Sequence, residues 1–489
     1  MLIGPILLST LLTSEPRGQT ALHASADEET SDEPRASVLL IVVDTLRADH
    51  LGCYGYGRNT SPHIDRLAAR GVRFRNAIAQ SSWTLPSMIS LMTGQYVLGT
   101  TPQLPEETDA LAELFSARGY QTAAVVGNDV VGEPEGFTRG FDVFLSQADL
   151  DLDNPENIGG DVHSIGAVVN EHALSWAAAQ AEAPFFLYVH YMDPHRPYLP
   201  LEDSAPFADG YEPIDALRRE RYESFLGGRP DLRDSAHIQL QRIRDTIQRY
   251  DADVAYVDAR IGELLAGLDA LGLMENTVVA LAADHGEALF DRLEYPELVR
   301  RQGPPKDQRL ADYFKNGHGK HLYRELVATP LIFAGPGIDE GRVVAETVPN
   351  VSLLPTLLEV ATGDTIDDRD GTSLASALTE ESFTVDQNSL LYSWCAQATG
   401  VFHPKRQLML IRPNPEGIDF GLTLKLFNLI DDPGENNNAL LGDDGKALLT
   451  ARHLTAELIE REQLALPQEE SAEYLEATLR KMRELGYVR

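Results

Sequence analysis

Cysteine is nearly absent from this chain: Cys53 and Cys395 are the whole complement of 489 residues. Two cysteines cannot frame a disulfide-stapled fold, and without CxxC spacing they build no zinc finger or ribbon. Basic charge is scarce as well, with 41 Lys and Arg against 75 Asp and Glu and a formal balance of −34. So acidic a chain repels phosphate backbones, which excludes a general nucleic-acid binder and leaves a solvated acidic exterior as the reading of the charge. Long apolar runs are missing too. The opening stretch from Met1 to Leu12 is apolar but shorter than the ~20 residues of a membrane-spanning helix. It suits the apolar part of a secretory signal, with Ala24, Ser25 and Ala26 as a small-residue cleavage site, although no basic leader precedes it. A periplasmic or secreted protein is the expectation. Residues 27–36 are acidic and almost free of large apolar groups, so residues 1–36 are expected to comprise a signal segment and a disordered linker. No repeat of fixed period follows.

From Ser37 onward, short apolar runs alternate with helical patterns. Val38 to Val43, Thr122 to Val126, Phe185 to Val189, Val278 to Ala282 and Pro330 to Phe333 are continuous runs of the kind buried on both faces of a parallel sheet. Asp109 to Arg118 and Ala255 to Leu271 carry helical periodicity, each followed by a stop glycine, Gly119 or Gly272. The predicted fold class is α/β, with a mixed, mostly parallel central sheet sandwiched by helices over residues 37–385. Beyond that the runs Leu390 to Trp394, Gln407 to Ile411 and Leu424 to Leu429 are separated by turns containing Pro and Gly. They predict a small antiparallel sheet. With a charged helix over Glu469 to Leu485 it would make a smaller C-terminal domain over residues 386–489. Residues 201–249 carry no recognisable pattern.

In open α/β sheets ligands bind beyond the carboxyl ends of the strands. Here those ends carry polar residues: Asp44 and Thr45 after the first run, His190 and then Asp193 and His195 after the third, and Asp284, His285 and Glu287 after the fourth. One Asp at a strand end can be no more than a helix cap. Several on one edge point to a site. Asp44, Asp284 and His285 mix oxygen and imidazole donors, which suits Zn²⁺ or Mn²⁺ better than an all-oxygen Ca²⁺ cage. The segment Ser81 to Gly94 reads as a loop entering a helix, with Pro86 in its first turn and Gly94 as its stop. Thr84 would then stand at a helix N-terminus, where free N–H groups and the helix dipole favour an anionic ester.

The motifs, taken together, resemble those of the sulfatase family within the alkaline-phosphatase-like superfamily. VDTLRADHLGCYGY over Val43 to Tyr56 looks like the first signature of bacterial sulfatases, and SWTLPS over Ser82 to Ser87 resembles the nucleophile segment. HYMDPHRPY over His190 to Tyr198 is similar to the substrate-contact loop and ADHGE over Ala283 to Glu287 to the second metal segment. Gly317 to Glu325, Pro330 to Gly337 and Leu426 to Asn438 follow in family order. The resemblance implies an ester hydrolase in which Asp44, Thr84, Asp284 and His285 hold one divalent metal ion and Thr84 is the nucleophile. His195 would contact the ester, as would a basic residue among His318, Lys320 and His321, with His318 first and Lys320 second. His190, Asn128 and Arg47 are expected on the substrate side.

Three departures qualify the resemblance. Family sulfatases mature a Cys or Ser in Cys/Ser-x-Pro-x-Arg to formylglycine, whereas this chain reads TLPSM from Thr84 to Met88. Threonine cannot yield that aldehyde, so no formylglycine is expected. Thr45 replaces the second of two adjacent Asp ligands, and Asn128 stands where many sulfatases carry a substrate-binding Lys. The expected substrate is a small-molecule, glycan or lipid ester of sulfate or phosphate type, cleaved or transferred, with a phosphoester or phosphonoester ahead of a sulfate ester. An authentic sulfuric ester hydrolase and a degenerate, non-catalytic ligand-binding member are the rivals.

Overall fold

Unbroken apolar runs become fully buried strands where both faces of a sheet are covered, and the computed structural model shows this at its centre. It describes residues 35–99, 103–150, 165–180, 184–198, 233–293, 314–379, 386–414, 424–435, 437–441 and 445–465, with isolated positions between them. The signal segment, most of the linker and the closing helix expected over Glu469 to Leu485 lie outside the described residues.

The strands of the large sheet are β1 (Ser37–Val43), β2 (Gly71–Ile78), β3 (Gln121–Val126), β4 (Val143–Leu145), β5 (Phe185–Tyr191) and β6 (Thr277–Ala283). A hairpin of β7 (Ala288–Leu293) and β8 (Phe314–Gly317) stands apart, and β9 (Ala328–Thr329), β10 (Leu331–Ala334) and β11 (Arg342–Pro349) complete the large sheet. Its order is β11-β2-β10-β6-β1-β5-β3-β4, with β9 paired to β2. β1 runs parallel to β5 and β6, and β3 parallel to β5 and β4, so these strands end on one edge. β10, expected among the parallel strands, runs antiparallel to both β2 and β6. A run buried on both faces has no directional signal in its side chains, which is why the sequence reads alike either way.

Side chains alternate across the sheet with period two. Leu39, Ile41 and Val43 join Leu187 and Val189 on one face, and Val38, Leu40 and Val42 join Phe186 and Tyr188 on the other. The first face is covered by helices α1 (Pro62–Ala69), α4 (Ile165–Ala178) and α5 (Arg233–Ala270); the second by α2 (Thr84–Thr93), α3 (Leu111–Ser116) and α7 (Leu353–Thr362). Short helices α6 (Arg324–Val327) and α8 (Ala375–Thr379) lie between strand connections. The helix expected to begin at Ala255 starts at Arg233 and absorbs the end of the patternless stretch. Gly119 and Gly272 adopt the left-handed conformation that stops a helix, with φ of 78° and 73°.

The second sheet has β12 (Leu391–Cys395), β13 (Ala398–His403), β14 (Leu408–Pro413) and β15 (Lys425–Asn428), all antiparallel in that order. One face packs Phe402, Met409 and Phe427 against Ile78, Leu322 and Leu326 of the larger part. The other packs Val401, Leu410 and Leu426 under helix α9 (Gly445–Ala465), through Ala447, Ala451 and Leu454. A buried Arg412 to Glu462 ion pair, with Thr399 donating to Glu462 at 2.9 Å, ties α9 to this sheet. Among the described residues no helix is long and apolar enough to cross a membrane.

Candidate active site

The parallel centre of the sheet brings the polar strand ends together. β1 continues one step past Val43, where Asp44 N–H donates to the Tyr191 carbonyl at 3.0 Å. The chain then turns at Thr45, whose φ is 54°. Tyr250 of α5 clamps that turn: its hydroxyl donates to the Thr45 carbonyl at 2.7 Å and accepts from Arg47 N–H at 2.9 Å. β6 delivers Asp284, whose Oδ1 accepts from the backbone N–H groups of His285 at 2.7 Å and Thr45 at 3.2 Å. Gly286 is needed just beyond, because a Cβ there would lie 2.1 Å from the Glu325 carbonyl oxygen.

Thr84 is the first residue of α2, and all ten residues of that helix are buried. Gly94 ends it in the left-handed region with φ of 69°. The approach to Thr84 is anchored from two sides. Ser81 pairs with Trp394, whose N–H donates to the Gln80 carbonyl at 2.8 Å, and Gly319 N–H donates to the Ser82 carbonyl at 2.7 Å. The small sheet thus holds the segment that presents Thr84.

Thr84 Oγ1 donates to Asp44 Oδ2 at 3.5 Å and lies 3.3 Å from His285 Nε2. Asn128, just beyond β3, donates its amide to the same Asp44 oxygen at 2.5 Å. His285 Nδ1 donates to the Gly286 carbonyl at 2.8 Å, leaving Nε2 as an acceptor 3.3 Å from Asp284 Oδ2 and 3.9 Å from Asp44 Oδ1. His190, on β5, has its Nδ1 2.7 Å from the Tyr188 hydroxyl and its Nε2 3.9 Å from Asp44 Oδ2. Asp44, His190 and Asp284 offer ligand atoms that all lie within 4.8 Å of one another, and all three are buried.

Burial dominates the electrostatics. It pushes the Asp44 carboxyl well above its ordinary range, reinforced by Asp284, and it raises Asp284 likewise. It also disfavours the charged imidazoles, lowering His190 to about 4 and carrying His285 well below its usual value. Asp44 Oδ1, Asp284 Oδ2 and His190 Nε2 have no hydrogen-bond partner. Two acidic groups beside imidazoles held neutral by burial, with buried oxygen and nitrogen atoms left without partners, fit a divalent cation that accepts nitrogen and oxygen ligands.

Beside this cluster, His195 and His318 stand close, with ring centroids 5.0 Å apart, and the His318 ring is 4.6 Å from that of His285. His195 Nδ1 donates to the Arg196 carbonyl at 2.7 Å. Buried Glu287 lies 3.3 Å from His318 Nδ1 and 3.4 Å from the Arg196 guanidinium. Burial would raise Glu287, but His318 and Arg196 hold it down at about 2. Of the other sequence candidates, Lys320 is exposed, and His321 is buried with its ring 5.0 Å from that of Tyr323. Arg47 is buried, with its guanidinium held by Asp49 at 2.7 Å, Asp291 at 2.8 Å and the Glu287 carbonyl at 3.0 Å. Tyr188 was not singled out from the sequence, and Glu287 was noted there as a polar strand end with no role assigned to it. Period-two spacing before His190 pointed to the first, and the end of ADHGE to the second.

The chain matches the family model described as Sulfatase over residues 36–363. It is 28% identical over 470 residues to an ulvan-active sulfatase of Formosa agariphila, covering 90% of this chain and 82% of that one. Among solved structures it resembles the phosphonate monoester hydrolase of Agrobacterium radiobacter, with TM-score 0.65, 19% identity and coverage of 88% and 96%. It also resembles a protein solved with its substrate D-glucosamine-2-N,6-O-disulfate, with TM-score 0.66, 19% identity and coverage of 88% and 98%.

Proposed function

The chain belongs to the sulfatase family of metal-dependent ester hydrolases, and from that premise we propose that it cleaves or transfers a phosphoester or phosphonoester through Thr84. The observation that carries this reading is Thr84 itself, a residue with one hydroxyl at the N-terminus of α2, 3.5 Å from Asp44 and 3.3 Å from His285. A formylglycine hydrate has two hydroxyls, so one can attack while the other helps expel the group by elimination. Thr84 has no second hydroxyl. A sulfated threonine could be cleared only by an external nucleophile attacking sulfur, whereas a phosphorylated one can pass its group to water or an acceptor alcohol.

Asp44, Asp284, His285 and the Thr84 oxygen would hold one divalent cation, Zn²⁺ or Mn²⁺ ahead of Ca²⁺, which would lower the pKa of the hydroxyl and offset charge on the ester. In the first step Thr84 Oγ1 attacks phosphorus in line with the ester oxygen. The bond from phosphorus to the ester oxygen breaks, and the leaving oxygen takes a proton from water as the alcohol departs. Asp44 Oδ2 lies near enough to accept the Thr84 proton. His195 and His318, with each Nδ1 engaged by the Arg196 carbonyl or Glu287, turn Nε2 toward the non-bridging oxygens. In the second step water or an acceptor alcohol attacks phosphorus, the bond from phosphorus to Thr84 Oγ1 breaks, and Thr84 Oγ1 takes up a proton as the attacking hydroxyl gives one up. A small-molecule, glycan or lipid ester met in the periplasm or outside the cell belongs to the same reading.

The sequence relatives favour a second reading, sulfuric ester hydrolysis, as in the ulvan-active sulfatase. The two separate in kcat/KM for matched aryl sulfate, phosphate monoester, phosphate diester and phosphonate substrates. A phosphorus ester should turn over fastest. A sulfate ester leading every phosphorus ester by about tenfold or more in transition-state stabilisation would give the sulfatase reading the site.

A further inference from the structure

We propose that His190 is a direct ligand of the metal ion, held in place by Tyr188, so that the ion carries two imidazoles, His190 and His285, in place of one. The inference rests on the proposed metal-dependent reading of the site and names a ligand beyond Asp44, Thr84, Asp284 and His285.

Three observations carry it. The first is position. His190 sits within the fully buried strand β5, opposite Val42 of β1 and Val126 of β3. A histidine in a strand flanked on both sides has no route to water, and its exposure is 0%. Its Nε2 needs a partner inside the protein, and none donates to it or accepts from it. The nearest carboxylate oxygen, Asp44 Oδ2, is 3.9 Å away, beyond hydrogen-bond reach.

The second is reach. Ligands bound at ~2.0–2.4 Å to one ion lie at most about 4.8 Å apart, when they face each other across it. His190 Nε2 and the carboxylate oxygens of Asp44 and Asp284 meet that limit, all within 4.8 Å of one another. His285 Nε2 approaches the same carboxylates, at 3.3 Å from Asp284 Oδ2 and 3.9 Å from Asp44 Oδ1. His190 thus approaches Asp44 through Oδ2 and His285 approaches the same carboxylate through Oδ1.

The third is orientation. Tyr188 and His190 are two apart on β5 and share a face, and the Tyr188 hydroxyl is 2.7 Å from His190 Nδ1. With Nδ1–H donated to that hydroxyl, Nε2 keeps its lone pair for a cation. Metal-binding histidines are commonly fixed in this way through their other ring nitrogen. His285 shows the same arrangement, Nδ1–H to the Gly286 carbonyl with Nε2 turned inward. Two imidazoles and two carboxylates make a site that favours Zn²⁺ or Mn²⁺ over Ca²⁺.

The test reads the metal and not turnover. Purified protein is loaded with Zn²⁺, its metal content measured, and the number of imidazole ligands counted by X-ray absorption. Two imidazoles are expected in the wild-type protein and one in His190→Ala, with affinity lowered at least ~100-fold, the upper end of what loss of an orienting partner alone costs. Tyr188→Phe should keep two imidazoles and weaken binding by about 10–100-fold. His190→Gln, checked by circular dichroism, stands in if the alanine variant misfolds, and it too should show one imidazole. A count of one imidazole in the wild-type protein, or an unchanged count in the His190 variants, overturns the inference while leaving the metal-dependent reading intact. Wild-type protein that binds no metal overturns both.

Discussion

Asp44 and Asp251 are both wholly buried, and the same stretch of chain, Val43 to Arg58, touches both, yet their surroundings are opposite. Asp251 on α5 is closed off: His50 Nδ1 meets one oxygen at 2.7 Å, and Arg58 and Tyr56 meet the other at 2.5 and 2.8 Å. Asp44 has an amide and a weakly held hydroxyl, faces Asp284, and leaves Oδ1 without a partner. A paired buried charge fixes structure, whereas one left open asks for a ligand. The first family-like motif therefore has two halves. Asp44 serves the proposed chemistry, and His50 and Tyr56 pin the turn to α5.

The comparison breaks most completely at the metal. Chelation should abolish activity, and Zn²⁺ or Mn²⁺ should restore it better than Ca²⁺; full turnover by protein shown to be metal-free by elemental analysis would leave Asp44 without its cation. Asp251→Ala should cost about 3–5 kcal/mol in denaturant unfolding, because it removes the buried carboxylate that His50, Tyr56 and Arg58 share. His195→Ala should lower kcat/KM by about 10–10³, since water can replace part of what a donor at the ester contributes; no loss in the folded variant would remove His195 from the site.

The smallest effect is a pH slope. Folding raises the carboxyls of Asp44 and Asp284 above the ordinary value of 3.8. Their contribution to the stability of metal-free protein is fully present below that value and is lost as pH rises through the raised folded values. Asp44→Asn should flatten this part of the profile in thermal melts of the metal-free protein. An equally steep slope in the variant would mean that Asp44 is not a source of the dependence.

What the sequence made legible follows the same division. β1, β5 and β6 could be read as strands because each carries an unbroken apolar run and is buried along its whole length, and their polar ends could be read as a site because the chain spends Asp and His where a core strand would not. β2 and β11 escaped notice: Arg73, Arg75 and Asn76 interrupt the first, and Arg342, Glu346 and an irregular register interrupt the second. Helix α9 was missed because its apolar side chains serve a small sheet rather than the main core. The direction of β10 and the convergence of His190 on Asp44 depend on which strands become neighbours. That is set by the whole sheet and written in no local pattern.

The central claim is that Thr84 carries the transferred group, and the most direct measurement is mass spectrometry of the Thr84 peptide after a rapid quench during turnover of a phosphorus ester. A phosphoryl or phosphonyl adduct on Thr84 is expected, absent in Thr84→Ala, with turnover in that variant lower by at least ~10³-fold. A folded Thr84→Ala protein that turns over at a near-normal rate, or an adduct found on another residue, would contradict it.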